Sequence, residues 1–306
     1  MTGCGVEGRG NRQQITKRSD TMPNIGIIGA ENSHTVAIAK TINIDQLVSG
    51  FSVTHVWGET PDDAKDAQER GLIPNIVQDP EDLIGQVDAA IVDHRHPKYH
   101  LPAVRPLLEA GIPLFVDKPF CYRLDEGKEF LARARELNVP VCSFSVLPKQ
   151  ASFAQLQEDV RELGRIISVV STGPCDIDSE YGGVFFYGIH QVDMVVRLLD
   201  QDITHVQLNR GEQNHTATLY SASGAISTMN LVGEGRVGFH VSVIGEKGRT
   251  DRVIGYDENT YLTGVLDFCR MFSTGETDET DSSMLTPVAV LEALEKSQES
   301  GEKVEV

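Results

Sequence analysis

The chain has 306 residues, 40% of them apolar and 24% charged, and a formal net charge of −18. That length supports one large or two ordinary domains with true cores. The charge excludes a binder of nucleic-acid backbone and argues against an anionic membrane surface, both of which require basic faces. No apolar run reaches the roughly 18 residues that span a bilayer. Five cysteines without a C-x-x-C pair fit the reduced thiols of a cytoplasmic protein. Residues 1–22 are polar and lack the apolar core of a secretory signal. They read as a disordered extension ahead of a natural start at Met22.

From residue 24 strand and helix patterns alternate. An apolar strand over 25–29 runs into a turn and a helix at 35–41. A strand follows at 51–57, then a helix at 61–70 with Pro61 in its first turn and Gly71 after its end. A short strand at 76–77 and a short helix at 80–84 lead to the apolar run 88–92, the pattern of a strand buried on both faces. Pro106 should bend or shorten the next helix, 101–110. A strand at 114–116, an amphipathic helix at 125–137 and a strand at 139–146 complete this half. Strands separated by helices argue for a parallel sheet covered on both faces. After residue 150 the order changes. A helix at 151–163, a strand at 166–172 and a helix at 190–199 precede strands at 205–209, 216–221, 225–231, 238–244 and 250–254. Consecutive strands indicate an antiparallel or mixed sheet. Helices at 261–272 and 286–298 close the chain. The fold class is therefore α/β. A Rossmann domain with a doubly wound parallel sheet is expected over 23–147, and an α/β domain with a large open, mostly antiparallel sheet over 148–306.

Three loops fall where such a sheet presents a ligand, outside its strand carboxyl ends. The first is the turn Gly29-Ala30-Glu31-Asn32-Ser33-His34. Gly29 stands where a dinucleotide turn needs its tight glycine, but Glu31 and His34 occupy the second and third glycine positions. Backbone N–H groups here would receive a pyrophosphate, and Asn32 or Ser33 would alternatively cap the helix. Glu59, one position after the usual ribose acid, is the candidate for the adenosine ribose, or else a solvent-exposed loop acid. No Lys or Arg stands beside it for a 2′-phosphate, which favours NAD over NADP. The second loop is Asp93-His94-Arg95-His96-Pro97-Lys98-Tyr99-His100. Asp93, His94 and His96 are spaced for a hydrolase zinc site. The simpler reading has no metal, with His100 starting a helix beside the cofactor and His94 and His96 lining the cleft. The third loop is Asp117-Lys118-Pro119, where Pro119 favours an extended Lys118. A partly desolvated lysine at a strand end suits general acid or base work. Its alternative is a lysine merely paired with Asp117.

Asp117-Lys118-Pro119, taken with Gly182-Gly183 and Gly188-Ile189-His190-Gln191-Val192-Asp193, resembles the Gfo/Idh/MocA family of nicotinamide-dependent oxidoreductases. That family usually shows Glu-Lys-Pro at the first place and Gly-Gly leading to Gly-x-His-x-x-Asp at the second, and its members act mostly on sugars, polyols and related hydroxy compounds. The resemblance covers residues 24–306. It implies NAD or NADP as cofactor, and an open sheet that in relatives often forms an oligomer interface, here a homodimer or homotetramer. It implies that Lys118 and His190 flank the nicotinamide and the substrate carbon, one of them shuttling the hydroxyl proton as hydride moves. Expected cofactor contacts are Gly29, Ala30, Glu31, Asn32, Ser33, His34, Glu59, His94, His100 and Lys118. Many members carry an aspartate four residues before the histidine, where this chain has Phe186. Tyr187 either offers the substrate a hydroxyl or packs. Asp193 either orients the imidazole or forms a salt bridge. The expected activity is an NAD(P)-dependent interconversion of a secondary alcohol and a ketone. The altered turn keeps a non-catalytic dinucleotide- or sugar-binding regulator as the alternative.

Overall fold

The computed structural model describes residues 22–200 and 202–306, so the extension expected before Met22 lies outside the described residues. Strands β1 (Asn24–Ile28), β2 (Ser52–Trp57), β3 (Asn75–Ile76), β4 (Ala89–Val92), β5 (Leu114–Val116) and β6 (Val141–Cys142) form a parallel sheet in the order β3-β2-β1-β4-β5-β6. The order reverses between β1 and β4, which opens a crevice at their carboxyl ends. Alternate residues of β4 feed opposite faces: Ala89 and Ile91 join one core, Ala90 and Val92 the other. That two-sided burial is why the run is apolar without alternation.

Helices α1 (Ser33–Ala39), α2 (Pro61–Gly71), α3 (His100–Glu109) and α4 (Leu124–Leu137) cover this sheet. Thr60 caps α2 by accepting the Asp63 N–H, with Pro61 in the first turn. Gly71, expected after the end of α2, lies within its last turn. A Cβ there would stand 2.7 Å from the Ala39 Cβ, so glycine lets α2 approach α1. The left-handed residue that ends α2 is Leu72, with φ of 49°. The third helix continues past Pro106 to Glu109.

The second half contains α5 (Ala151–Arg161), β7 (Ile166–Pro174), α6 (Val184–Leu198), β8 (Ile203–Asn209), β9 (Asn214–Ser221), β10 (Ile226–Val232), β11 (Phe239–Gly245), β12 (Gly248–Ile254), α7 (Leu262–Thr274), α8 (Asp281–Ser300) and β13 (Val304–Glu305). Its sheet runs β12-β11-β7-β10-β9-β8-β13, antiparallel throughout except for the β7–β10 pair. The helix expected at 190–199 begins six residues earlier, at Val184. Gly183 permits this start: its φ is +58°, and a Cβ would stand 2.8 Å from the Ile177 carbonyl oxygen. Helix α7 packs on the first sheet, with Val265, Phe268 and Phe272 in the core that holds Ile27, Ile91 and Phe115. Phe115 and Phe268 stack with centroids 4.7 Å apart, and each phenyl so buried contributes roughly 2–3 kcal/mol.

Candidate active site

The carboxyl ends of β4 and β5 deliver two buried acids into the crevice. Lys118 Nζ lies 3.0 Å from Asp117 Oδ2, both side chains being nearly sealed from solvent. His34 Nδ1 lies 3.1 Å from the same Asp117 oxygen and 3.7 Å from Asp93 Oδ1. Asn32 caps α1 by accepting the His34 N–H, and its Nδ2 donates to Asp93 Oδ1 at 2.7 Å. The Thr35 hydroxyl lies 2.8 Å from the Gly29 carbonyl and 2.9 Å from Asp93 Oδ2. Asp93 therefore fastens the turn to the tip of β4. Gly29 completes that contact: its φ is +111°, and a Cβ would stand 2.6 Å from the Asp93 carbonyl carbon. Burial, reinforced by the Asp117 charge, raises the Asp93 carboxyl well above the usual range. Burial opposes ionisation of Asp117 too, but Lys118 and His34 hold its carboxyl well below that range. The two carboxyls are thus pushed apart, Asp93 up and Asp117 down. Burial lowers His34, against the pull of Asp117.

Helix α6 brings in His190 from the second half. Its Nδ1 lies 2.8 Å from Ser145 Oγ, just past β6. Burial first, then the positive charges of Lys118 and His34, push the imidazole down to about 3. The ring is neutral. Ser145 Oγ also accepts the Leu147 N–H at 3.3 Å, and with Nδ1 engaged by the hydroxyl, Nε2 is the ring nitrogen left to meet a ligand. Tyr187 and Phe239 hold the ring edge-on, each with centroids 5.6 Å away. Tyr187 is 40% exposed. Asp193 does not orient the imidazole. Its Oδ2 accepts the Ser145 N–H at 3.1 Å and its Oδ1 accepts from Arg197 Nε at 2.7 Å. The side chain at the imidazole is Ser145, which the sequence reading passed over.

Glu59 is not a loose loop acid. Its Oε2 accepts the Glu31 N–H at 2.8 Å, while Oε1 is buried without a partner, and burial raises the carboxyl. His94 lies among Trp57, Tyr99 and His100, with centroids 5.6, 5.8 and 6.1 Å away, and its buried Nδ1 also lacks a partner. Burial pushes that ring down to about 3, so it is neutral. Two orphaned polar atoms at the tips of β2 and β4 suit a ligand rich in hydroxyl and amino donors. The adenosine half of a dinucleotide is such a ligand, so the crevice fits the group. Ala30 and Ser33 supply only backbone to this turn. His100 does not face the ligand: it is fully buried, Nδ1 lying 2.9 Å from the Pro119 carbonyl and Nε2 2.8 Å from the His94 carbonyl. It ties the second loop to the third. The zinc arrangement of Asp93, His94 and His96 is not formed. His96 Nδ1 accepts the Lys98 N–H and its ring meets Tyr122, while Asp93 faces the turn. Among the described residues, the one group with metal-compatible spacing is His34, Asp93 and Asp117. Its oxygens are already engaged by Asn32, Thr35 and Lys118.

Three further side chains were not singled out from sequence. Tyr261, just before α7, meets the His34 ring edge-on at 5.2 Å. Tyr181 and Arg95 meet Glu31 at the mouth of the crevice. The only available signal for Arg95 was its place in the loop after β4.

Residues 23–144 match the model of the oxidoreductase family with an NAD-binding Rossmann fold, GFO_IDH_MocA. The match places residues 23–144 with the NAD-binding Rossmann domain of that oxidoreductase family. No curated relative matches by sequence. Among solved structures, scyllo-inositol dehydrogenase from Lactobacillus casei superposes with a TM-score of 0.82 at 14% identity, covering 94% of this chain and 99% of that one. A probable dehydrogenase from Thermotoga maritima gives 0.80 at 18%, covering 92% and 98%. The myo-inositol dehydrogenase from Lactobacillus casei, solved with NAD(H) and myo-inositol, gives 0.80 at 18%, covering 94% and 97%. At such identities the likeness establishes the fold.

Proposed function

We propose that the protein is an NAD-dependent dehydrogenase that interconverts a secondary alcohol and a ketone on a sugar, polyol or related small hydroxy compound. The observation that carries this reading is the buried Lys118–Asp117 pair at the tip of β5, with α6 setting His190 against Ser145 just past the neighbouring β6. When bound, the nicotinamide supplies the hydride acceptor or donor. Glu59 holds the adenosine ribose through its free Oε1 and disfavours a 2′-phosphate, which selects NAD. Lys118 exchanges the proton of the substrate oxygen, while His190 Nε2 orients that oxygen. Lys118, held 3.0 Å from Asp117, is placed to hand a proton to a ketone on reduction and to take one from an alcohol on oxidation. Inositol dehydrogenases among the structural neighbours support a polyhydroxylated ring as substrate.

A second copy of this chain is expected on the outward face of the second sheet, which exposes Val170, Ile226, Ile244 and Val253. The test of activity is Lys118→Ala, assayed with NAD over a panel of polyols and sugars. Turnover per folded molecule should fall roughly 100-fold or more, and the melting temperature should fall as well because Asp117 loses its buried partner. Unchanged turnover would sink the assignment. NADH binding without turnover of any panel member would favour the non-catalytic regulator.

A further inference from the structure

Glu31 stands in the turn against which this fold lays a pyrophosphate. A carboxylate there repels an anion, and Glu59 adds a second one beside it through the Glu31 N–H. Yet Glu31 does not turn away into solvent. Its Oε1 accepts from the Tyr181 hydroxyl at 2.9 Å and lies 3.9 Å from Arg95 Nε. Arg95 Nη1 donates to the same Tyr181 hydroxyl at 3.3 Å, and the guanidinium lies 5.1 Å from the Tyr181 ring centroid. Three segments meet here: the turn after β1, the loop after β4, and the 175–183 segment ahead of α6. Among the described residues, no other Lys or Arg pairs with residues 29–34.

We propose that Arg95 is the residue that receives the pyrophosphate of the dinucleotide, and that Glu31 and Tyr181 hold it in a closed clasp that binding must open. The inference rests on the dinucleotide reading of the crevice given above. The phosphates replace the Glu31 carboxylate at the guanidinium. The guanidinium keeps an anionic partner throughout, the Glu31 carboxylate before binding and the doubly negative diphosphate after it. Tyr181 is released with Arg95, and the second half loses this tether to the turn. The clasp thereby turns a glutamate hostile to phosphate into a gate whose opening depends on the ligand's charge.

Both charged side chains are about one-third exposed, so single substitutions spare the core. Affinities of the full chain for NADH, ADP-ribose and adenosine, followed by calorimetry and by fluorescence of Trp57, test the proposal. Arg95→Gln should weaken NADH and ADP-ribose roughly tenfold or more, because a charge-assisted contact is lost, while adenosine is unaffected. Glu31→Gln should tighten NADH and ADP-ribose severalfold, and Tyr181→Phe should tighten them less. Melting curves establish that each variant is folded. If Glu31→Gln weakens NADH instead, Glu31 is itself a ligand and the clasp is overturned. Wild-type binding that none of the three variants alters overturns the clasp and leaves the dinucleotide reading intact. Failure of every form, Glu31→Gln included, to bind any nucleotide overturns both. Binding by Glu31→Gln alone supports the clasp in its strongest form.

Discussion

Acid should destabilise this protein in a way that one ring makes measurable. His190 is pushed down to about 3 in the fold, from an ordinary value of 6.5. Its folded pKa is lowered, and the group is a base. Between those two values the unfolded chain takes up a proton that the folded chain refuses, so stability falls as pH falls through this window. Combining the two titrations from pH 7 to pH 5 gives a loss of about 2 kcal/mol from this ring alone. His190→Asn removes the titration and keeps a group able to meet Ser145 Oγ. At pH 7 the variant is less stable than wild type, because contact with Tyr187 and Phe239 is lost. By pH 5 that gap should close by about 2 kcal/mol. The raised carboxyls of Asp93 and Glu59 have the opposite pH dependence, and the lowered His94 has the same one. All three titrate alike in both proteins and drop out of the difference. Urea unfolding at the two pH values measures it. Parallel stability curves would refute the neutral, desolvated His190. Lys118→Met offers an internal check, since removing that charge should shrink the acid-induced loss in the otherwise wild-type protein.

The other contacts of the site make separable predictions. Ser145→Ala removes the hydroxyl at His190 Nδ1, so turnover should drop roughly tenfold with a displaced pH profile, and Ser145→Thr should restore part of it. An unmoved profile would deny Ser145 a positioning role. Asp193→Asn leaves Arg197 half paired, since Glu279 still holds Nη2 at 2.8 Å. Stability in urea should fall by about 2–4 kcal/mol while turnover per folded molecule is retained, and collapse of turnover at full stability would return Asp193 to the imidazole. Glu59→Gln should narrow the NADH-over-NADPH affinity ratio roughly tenfold, as read by Trp57 fluorescence, and an unchanged ratio would remove Glu59 from cofactor choice.

The alternation of strands and helices before residue 150, and its loss afterwards, made both sheets legible. Lys118 stood out because its motif follows a short apolar run, and His190 because glycines frame it. What stayed hidden depends on packing partners. The helix expected at 190–199 left Gly188 outside it, yet Gly188 lies inside α6. A Cβ there would stand 3.0 Å from Val184 Cγ2, one turn back in the same helix, and in ordinary contact with Cys175 Sγ and Leu291 Cδ2. Ser145 was absorbed into an expected strand over 139–146, whereas β6 ends at Cys142 and releases the serine toward α6. Periodicity marked the apolar face of α7 but carried no information about which core that face would meet, and it meets the first sheet. Asp193 shows the same limit: one helical turn from His190 is the right spacing for a contact, but Arg197, one turn further on, competes for the carboxylate and takes it.

The departures from the family pattern decide between a decayed turn and a specialised one. Decay would leave substituted side chains without partners, because nothing selects for a contact at a position that has lost its purpose. Each departure here is matched across the crevice. Glu31, in place of a glycine, meets Tyr181 and Arg95. His34, in place of another, meets Asp117 and the Tyr261 ring. Asp117 in turn holds Lys118, so the turn and Lys118 share one carboxylate. Any change of charge at Lys118 therefore acts on His34 and on the acid of Asp93 beside it, and a ligand that moves the turn acts back on Lys118. A chain that had lost its chemistry has no reason to keep three buried ionisable groups coupled at the switch point of its sheet, because each costs stability that an apolar residue would not. That coupling favours a working, specialised dehydrogenase over a passive binder.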